Sequence, residues 1–237
     1  MQGTAMTPGI QETRARRLVI VGGGIGGTAV AKRLANDPRF EITLVDRQNH
    51  FVFQPLLYQV ATAALGASDI AVPIRHLLRD AANVAVLQAE VHGIRTHARL
   101  VDTAAGSLPY DALVVATGVE ASWFGNDAWE AAAPGLKTLD DAANIRERVL
   151  SAFERAEATT DANECARQLS FVVVGGGPTG VELAGALSEL ARDALKRDFR
   201  RIDTRQARIV LVEAGPRLVP MFHPTLSQSA TDDLRAR

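Results

Sequence analysis

The hydrophobic and polar positions near the start of the chain follow the order strand, turn, helix, strand. Residues 17–21 (RLVIV) have the pattern of a short buried strand, and a glycine-rich turn follows them. Residues 28–35 have the apolar spacing of a helix, and residues 41–45 (EITLV) form a second strand pattern. This order predicts a βαβ unit in which the two strands lie parallel in one sheet.

The same order of patterns returns later in the chain. Strand patterns occur at residues 170–174 (SFVVV) and 208–212 (RIVLV). Between them lie a glycine turn at residues 175–180 and a segment, residues 181–197, that we predict to be a helix. The two copies are too far apart for a solenoid repeat and indicate two nucleotide-binding domains in one chain.

We therefore predict an α/β fold with two Rossmann-like domains, each a parallel sheet with helices. Residues 1–15 are polar and are predicted to form a flexible N-terminal tail. Residues 16–122 are the predicted first domain, and residues 123–237 are the predicted second domain.

A helix is predicted in the segment that leads into the second strand-turn-helix-strand pattern. Thr138 has a side chain suited to capping the start of a helix, which we expect to run to about residue 157. Residues 159–168 are polar and are predicted to be a loop. The single cysteine, Cys165, lies in this predicted loop, so these 237 residues hold neither a disulfide framework, nor a Cys-rich metal site, nor a redox-active dithiol.

The charge and the hydrophobicity of the chain argue against two classes of interaction, nucleic acid binding and a membrane span. The formal net charge is -1, so there is no basic excess for binding a nucleic acid backbone, and we expect no nucleic acid partner. No apolar run approaches the roughly 20 residues that span a bilayer. The arginines at 14–17 before an apolar stretch could mark a secretory signal, but the glycines that interrupt the stretch favour a strand, turn and helix.

The first glycine turn has the spacing Gly22-x-Gly24-x-x-Gly27. In such turns the first glycine permits the tight turn, the second lets the backbone approach a pyrophosphate, and the third lets helix and strand pack closely. The N-terminus of the following helix then favours an anion. Asp46 ends the next strand pattern, where a carboxylate accepts hydrogen bonds from ribose hydroxyls.

The second turn has the same spacing, Gly175-x-Gly177-x-x-Gly180, and Glu213 is the acid at the end of its next strand. An acid at this position favours the free 2′-hydroxyl of NAD and repels the 2′-phosphate of NADP. Arg217 lies nearby in the sequence and could offset this repulsion, so NADP stays an alternative. Two dinucleotide sites in one chain suggest that electrons pass from one carrier to the other.

Three segments of the chain resemble one family. Residues 46–61 read DRQNHFVFQPLLYQVA, residues 174–185 read VGGGPTGVELAG, and residues 115–118 read VATG. They resemble the type II NADH dehydrogenases, and the FQPLLYQVA run is the most specific of the matches. The resemblance covers nearly the whole chain from Leu18 onwards.

The resemblance implies that the first turn binds FAD and the second binds NADH as substrate. Electrons would pass from NADH through the flavin to a membrane quinone in a respiratory chain, without proton pumping. Gln54 and Pro55 would lie against the isoalloxazine and Glu182 would face the nicotinamide and flavin rings, so these three are the predicted catalytic residues. No metal site is predicted. The predicted cofactor-binding residues are Gly22, Gly24, Gly26, Gly27, Asp46, Arg47, Gln54, Thr117, Gly118, Gly175, Gly177, Pro178, Thr179, Gly180, Glu182 and Glu213.

The resemblance also implies a peripheral position on the cytoplasmic face of the bacterial cell membrane. The family fold also implies a small antiparallel β layer beside the parallel sheets. Members of the family are much longer, so we expect this chain to be truncated at its C-terminus, with the second domain incomplete. We expect the fragment to be soluble, and by itself to bind FAD weakly and to turn over slowly or not at all. The membrane-binding segment would belong to the missing part. A homodimer is compatible with the sequence.

Other readings of the same fold stay open. A flavoprotein disulfide reductase needs a Cys-x4-Cys pair, and residues 36–70 contain no cysteine. A sulfide:quinone reductase is weakened by the single cysteine, and a ferredoxin or rubredoxin reductase explains the FQPLLYQVA run less well. A nucleotide-binding protein without turnover, like the apoptosis-inducing factors, would carry the same two glycine turns.

Overall fold

The computed structural model describes residues 14–237, so residues 1–13 of the predicted N-terminal tail lie outside it. Contacts divide the chain into two compact units. Unit 1 comprises the chain up to Phe51 together with Val72–Val119, and unit 2 comprises Val52–Ala71 together with Glu120–Arg237.

The strands are β1 (Arg16–Val21), β2 (Phe40–Asp46), β3 (His50–Val52), β4 (Ala71–Pro73), β5 (Val84–Gln88), β6 (Val91–Arg95), β7 (Leu100–Thr103), β8 (Gly106–Pro109), β9 (Ala112–Val115), β10 (Ser170–Val174) and β11 (Arg208–Val212). The helices are α1 (Ile25–Arg33), α2 (Leu57–Ala61), α3 (Ala67–Ile70), α4 (Ile74–Leu77), α5 (Leu139–Ala158), α6 (Ala162–Gln168), α7 (Pro178–Glu189) and α8 (Pro224–Ala236). Short 3₁₀ turns lie at Gln54–Leu56, Asp127–Ala131 and Thr204–Gln206, and a π-helical turn at Leu190–Ala194.

Unit 1 is built on a parallel sheet with the strand order β5-β2-β1-β9. The side chains of β1 alternate between two cores, because successive residues of a strand point to opposite faces. Leu18 and Ile20 pack on one face, and Val19 and Val21 pack on the other. Burial on both faces explains the unbroken apolar run of this strand. Strands β6, β7 and β8 form the antiparallel layer that the sequence predicts.

Unit 2 contains a parallel pair, β10 and β11, in the register Ser170↔Arg208 to Val174↔Val212. One face of this pair packs on α5 and α7, where Phe153 and Leu187 lie in the core. Val172, on the other face, is exposed. With unit 1, this confirms the predicted α/β fold of parallel sheets, helices and a small antiparallel layer.

The segment Val52–Ala71 belongs to unit 2 by its contacts, because α2 packs against α5 and α7. Leu57 and Val60 of α2 form a buried cluster with Ala142 of α5, and Leu183 of α7 packs against it. The predicted first domain, residues 16–122, included this segment. The apolar residues of Val52–Ala71 pack against helices of the later half of the chain, and the order of patterns along the sequence does not reveal this packing.

The predicted loop at residues 159–168 is wrong. Residues Ala162–Gln168 form α6, and the carboxylate of Asp161 caps it by accepting the N–H groups of Asn163 and Glu164. Cys165 therefore lies on a helix rather than in a loop, half-buried against the core of unit 2. The helix is short and polar, so capping and tertiary packing stabilise it rather than an apolar stripe.

Two further predicted helices have different bounds. The helix predicted from residue 28 begins at Ile25, since the glycines that argue against a helix are tolerated in its first turn. The helix predicted over 181–197 begins at Pro178, a residue suited to a first helical position, and ends at Glu189. The π-helical turn follows directly, and the Leu195 N–H donates to the Leu190 carbonyl.

Among residues 14–237, no helix has the length and apolar character that crossing a membrane requires.

Candidate nucleotide-binding sites

The glycine turn of unit 1 joins the end of β1 to the start of α1. Gly22 has a φ of +106°, and a Cβ there would overlap the carbonyl oxygen of Ala116. A Cβ at Gly27 would overlap the carbonyl oxygen of Gly22. At Gly24, in contrast, a Cβ would meet no atom of the described residues within 4 Å. Gly22 and Gly27 are therefore required by the fold, whereas Gly24 leaves an open approach to the backbone.

The glycine turn of unit 2 repeats this arrangement between β10 and α7. Gly175 has a φ of +105°, and a Cβ at Gly180 would overlap the Gly175 carbonyl oxygen. A Cβ at Gly177 would again lie in open space, with no described atom within 4 Å. The open middle glycine in both turns is the cradle that a pyrophosphate needs, so the residues present fit a dinucleotide at each turn.

The helices that follow the two turns present uncapped N-termini. Gly24 is the N-cap of α1 and Gly177 is the N-cap of α7, and no side chain caps either helix. Neither helix has an acidic residue in its first turn. Pro178 and Thr179 are the first two residues of α7. The first-turn N–H groups and the positive end of each helix dipole therefore favour an anion at the turn.

In unit 1 the acid that ends β2 closes the glycine turn. One carboxylate oxygen of Asp46 accepts the N–H of Gly23 at 2.5 Å, and the other accepts the N–H of Gln48 at 2.7 Å. Each oxygen keeps further acceptor capacity, so Asp46 fits a pair of ribose hydroxyls. Arg47, which follows it, is exposed at the end of the strand.

In unit 2 the acid that ends β11 makes the equivalent contacts. Glu213 accepts the N–H of Gly176 at 2.6 Å with one oxygen and the N–H of Gly215 at 2.7 Å with the other. These backbone hydrogen bonds, from Gly215 first and then from Gly176, lower the pKa of the Glu213 carboxyl below its usual value. The group is therefore an anion at neutral pH, as repulsion of a 2′-phosphate requires.

The sequence analysis missed two site residues, Gly23 and Gly176, each the second glycine of its turn. A Cβ at Gly23 would come within 2.5 Å of Cδ1 of Ile74, and a Cβ at Gly176 within 2.6 Å of Cδ2 of Leu218. Both turns read Gly-Gly-Gly, and this shared feature could have revealed them. The spacing Gly-x-Gly-x-x-Gly treats that position as free.

The end of β9 lies beside the first glycine turn. The Ala116 N–H donates to the Val21 carbonyl at 2.7 Å, and Thr117 follows directly. A Cβ at Gly22 would be 3.1 Å from the Thr117 nitrogen, and Gly118 has a φ of +72°. The structure therefore brings the predicted residue Thr117 close to the first turn, and the predicted residue Gly118 follows it directly in the chain. The predicted residue Gly26, in the first turn of α1, also lies near the end of β9. A Cβ on Gly26 would make only an ordinary contact of 3.7 Å with the Ala116 side chain.

Gln54 and Pro55 lie in the 3₁₀ turn that precedes α2, and both are exposed. The side-chain amide of Gln54 donates to the carbonyl of Lys137 at 3.2 Å, just before Thr138 caps α5. This contact ties the predicted flavin-facing segment to the start of a long helix of the same unit.

Glu182 lies one turn into α7 and is exposed, without a hydrogen-bond partner among the described residues. Nearby protein atoms nevertheless remove part of its hydration, and this desolvation raises the pKa of its carboxyl. The next residue, Leu183, packs against the cluster that contains Leu57 of α2. Within unit 2, the predicted catalytic residues Gln54, Pro55 and Glu182 thus lie on elements that pack together.

Comparison with known proteins identifies relatives. The chain is 44% identical over 236 residues to the type II NADH:quinone oxidoreductase Ndh of Mycobacterium tuberculosis, covering 96% of this chain and 50% of that protein. It is 46% identical over 218 residues to NdhA of the same organism, covering 90% and 46% respectively. The chain thus spans about half the length of these curated relatives.

The fold also matches a solved structure, that of NDH2 from Plasmodium falciparum in complex with NADH, with a TM-score of 0.85 and 25% identity. The match covers 94% of this chain and 46% of that one. The resemblance to type II NADH dehydrogenases is confirmed by these similarities. Residues 16–237 match the pyridine nucleotide-disulphide oxidoreductase family, and the chain therefore belongs to that family.

Proposed function

We propose that this protein is a flavin-dependent oxidoreductase that passes electrons from NADH to a quinone. FAD is assigned to the glycine turn of unit 1 and NADH to the glycine turn of unit 2. The observation that carries the proposal is the duplicated site: two glycine turns with the same open middle glycine, each closed by the acid of the following strand. The similarity to mycobacterial NADH:quinone oxidoreductases supports the choice of carriers.

In unit 1, Gly24 and the N-terminus of α1 would receive the pyrophosphate of FAD, and Asp46 would bind its ribose hydroxyls. Thr117 and Gly118 border the same turn. FAD, when bound, accepts a hydride from NADH and passes the electrons on singly or in pairs. The protein itself supplies no covalent chemistry in this scheme.

In unit 2, Gly177 and the N-terminus of α7 would receive the pyrophosphate of NADH. Glu213 would accept hydrogen bonds from the adenosine ribose and repel a 2′-phosphate, so we assign NADH rather than NADPH as the donor. Glu182, Gln54 and Pro55 would orient the reacting rings, which lowers the entropy loss of reaching the hydride-transfer geometry.

A quinone is a hydrophobic acceptor, so we place the reaction at a membrane surface, and specifically at the cytoplasmic face of a bacterial cell membrane. Disulfide reduction on this fold requires a pair of cysteines, and the 237 residues contain only Cys165. The quinone assignment is therefore favoured over a thiol acceptor within this chain.

The test is a single-turnover experiment on the chain saturated with FAD, so that even a slow reaction registers. NADH is added anaerobically and the visible absorbance of the flavin is followed, after which a soluble quinone is added. We expect the absorbance to fall with NADH and to return with quinone. A chain that binds both FAD and NADH yet keeps its flavin absorbance unchanged would contradict the proposal.

A further inference from the structure

The loop that follows Glu213 encloses the second glycine turn from several sides. Glu213 accepts the N–H of Gly176, and the N–H of Val219 donates to the carbonyl of Gly176 at 2.7 Å. The side chain of Leu218 occupies the space that a Cβ of Gly176 would need. The position of this glycine, which directly precedes Gly177, is thus set by the loop of residues 213–222, named here the clamp loop.

The clamp loop is held in turn by Arg217. Its guanidinium donates to the carbonyl of Phe222 at 2.9 Å and to the carbonyl of Pro220 at 2.6 Å. It also donates to the hydroxyl of Ser227, in the first turns of α8, at 3.0 Å. Three acceptors in different directions suit the fixed, planar donor geometry of arginine and do not suit the point charge of lysine.

The contacts of Arg217 stabilise a conformation that is strained on its own. Val219 has a φ of +40°, a region that a β-branched residue rarely adopts, and it is buried. The hydroxyl of Ser227, itself 2% exposed, donates to the Val219 carbonyl at 3.3 Å. Arg217 and Ser227 together hold this residue, and its N–H is the one that fixes Gly176.

We propose that Arg217 is a positioning residue that sets the second glycine turn for NADH and takes no part in recognising a 2′-phosphate. The inference rests on the proposed binding of NADH by unit 2. An arginine near the acid of such a turn is the residue expected to accept NADP. Here three of its donors are already engaged by the protein, and binding a phosphate would require them to leave the clamp loop.

The test compares Arg217→Ala, Arg217→Lys and Ser227→Ala with the unaltered chain by equilibrium titration with NADH and, separately, with NADPH. Arg235→Ala is the matched control, since Arg235 is an exposed arginine of α8 to which the structure assigns no partner among the described residues. Hydrogen exchange of the Gly176 and Val219 amides is measured on the same proteins without nucleotide.

We expect Arg217→Ala to raise the Kd for NADH and the Kd for NADPH by the same factor, roughly tenfold, because three charge-assisted hydrogen bonds are lost. Arg217→Lys should behave like the alanine variant, and Ser227→Ala should raise both constants by about two- to threefold. Exchange at the Gly176 and Val219 amides should accelerate in Arg217→Ala and stay unchanged in the Arg235→Ala control.

Three results would overturn the proposal. The first is a loss of NADPH binding alone in Arg217→Ala, which would show that the guanidinium reads the 2′-phosphate. The second is full rescue by lysine, and the third is unchanged exchange at both amides. If Arg217→Ala does not fold, Ser227→Ala decides by the same comparisons. Failure of the proposed function is distinguishable, because it would appear as absent NADH binding in the unaltered chain, and the inference would fall with it.

Discussion

The carboxylate of Glu213 accepts the backbone N–H of Gly176 at 2.6 Å, and this contact couples the acid of the second site to the glycine turn it serves. Unit 1 has the same relationship between Asp46 and Gly23, at 2.5 Å. The acid that we propose to bind a ribose thus also fixes the backbone that we propose to approach the pyrophosphate. Ribose recognition and turn geometry should therefore respond together when the acid is changed.

Neutralising Glu213 tests this coupling. Glu213→Gln removes the charge that repels a 2′-phosphate and weakens the acceptor for two backbone N–H groups. We expect the Kd for NADH to rise by about tenfold and the ratio of NADPH to NADH affinity to increase. Titration with both nucleotides checks this, and Glu154→Gln, an exposed glutamate of α5 in the same unit, is the control. Unchanged discrimination between the nucleotides would show that Glu213 does not face the ribose.

The lowered pKa of Glu213 gives a pH dependence with a definite sign. A carboxyl with a depressed folded-state pKa contributes stability above its unfolded pKa, about 4.3 for glutamate. That contribution is lost as pH falls through the lower, folded-state value. The difference in unfolding free energy between the unaltered chain and Glu213→Gln should be largest near neutral pH and shrink on acidification. Urea unfolding at a series of pH values measures it, and a difference that grows on acidification would contradict the assignment.

Substitution of Gly180 and substitution of Gly177, both in the second glycine turn, should have different effects. In Gly180→Ala the new Cβ overlaps the Gly175 carbonyl, so we expect a loss of about 3 kcal/mol or more of stability. In Gly177→Ala the new Cβ meets no described atom, so the fold should persist while the Kd for NADH rises by about tenfold or more. Thermal unfolding and NADH titration separate the two outcomes. Equal destabilisation by both substitutions would rule out the open cradle at Gly177.

Removing the charge of Glu182 should separate function from stability. Desolvation raises its pKa, which means that ionisation of this group at neutral pH opposes folding. We expect Glu182→Gln to keep or raise the Tm at pH 7, and this advantage should disappear as pH falls and the glutamate becomes protonated. The rate of flavin reduction by NADH should fall by about tenfold if Glu182 orients the rings. A variant with an unchanged rate would assign Glu182 to the helix surface alone.

The parts of the fold with strong local signals could be predicted from the sequence. The strands Ser170–Val174 and Arg208–Val212 each consist of one polar residue followed by four apolar ones, and their bounds are as predicted. Thr138 caps α5 as predicted, because its hydroxyl accepts the N–H of Asp141 and the carboxylate of Asp141 accepts the N–H of Thr138. The strands and this helix start are each determined by residues that lie only a few positions apart in the sequence.

The parts that depend on distant partners could not be predicted. α6 is polar and gains its stability from Asp161 and from the packing of Cys165 on the core, so composition alone indicated a loop. Ile74 and Leu218 contact the two glycine turns from 51 and 42 positions further along the chain than Gly23 and Gly176. Nothing in the fingerprint spacing points to them, since their role comes from tertiary packing.

Matched substitutions of the two open glycines, Gly24 and Gly177, test whether each glycine turn binds a different dinucleotide. The unaltered chain, Gly24→Ala and Gly177→Ala are titrated with FAD and, in parallel, with NADH. We predict that Gly24→Ala raises only the Kd for FAD and that Gly177→Ala raises only the Kd for NADH, each by about tenfold or more. The reverse pattern, or loss of neither ligand in either variant, would contradict the assignment of FAD to unit 1 and NADH to unit 2.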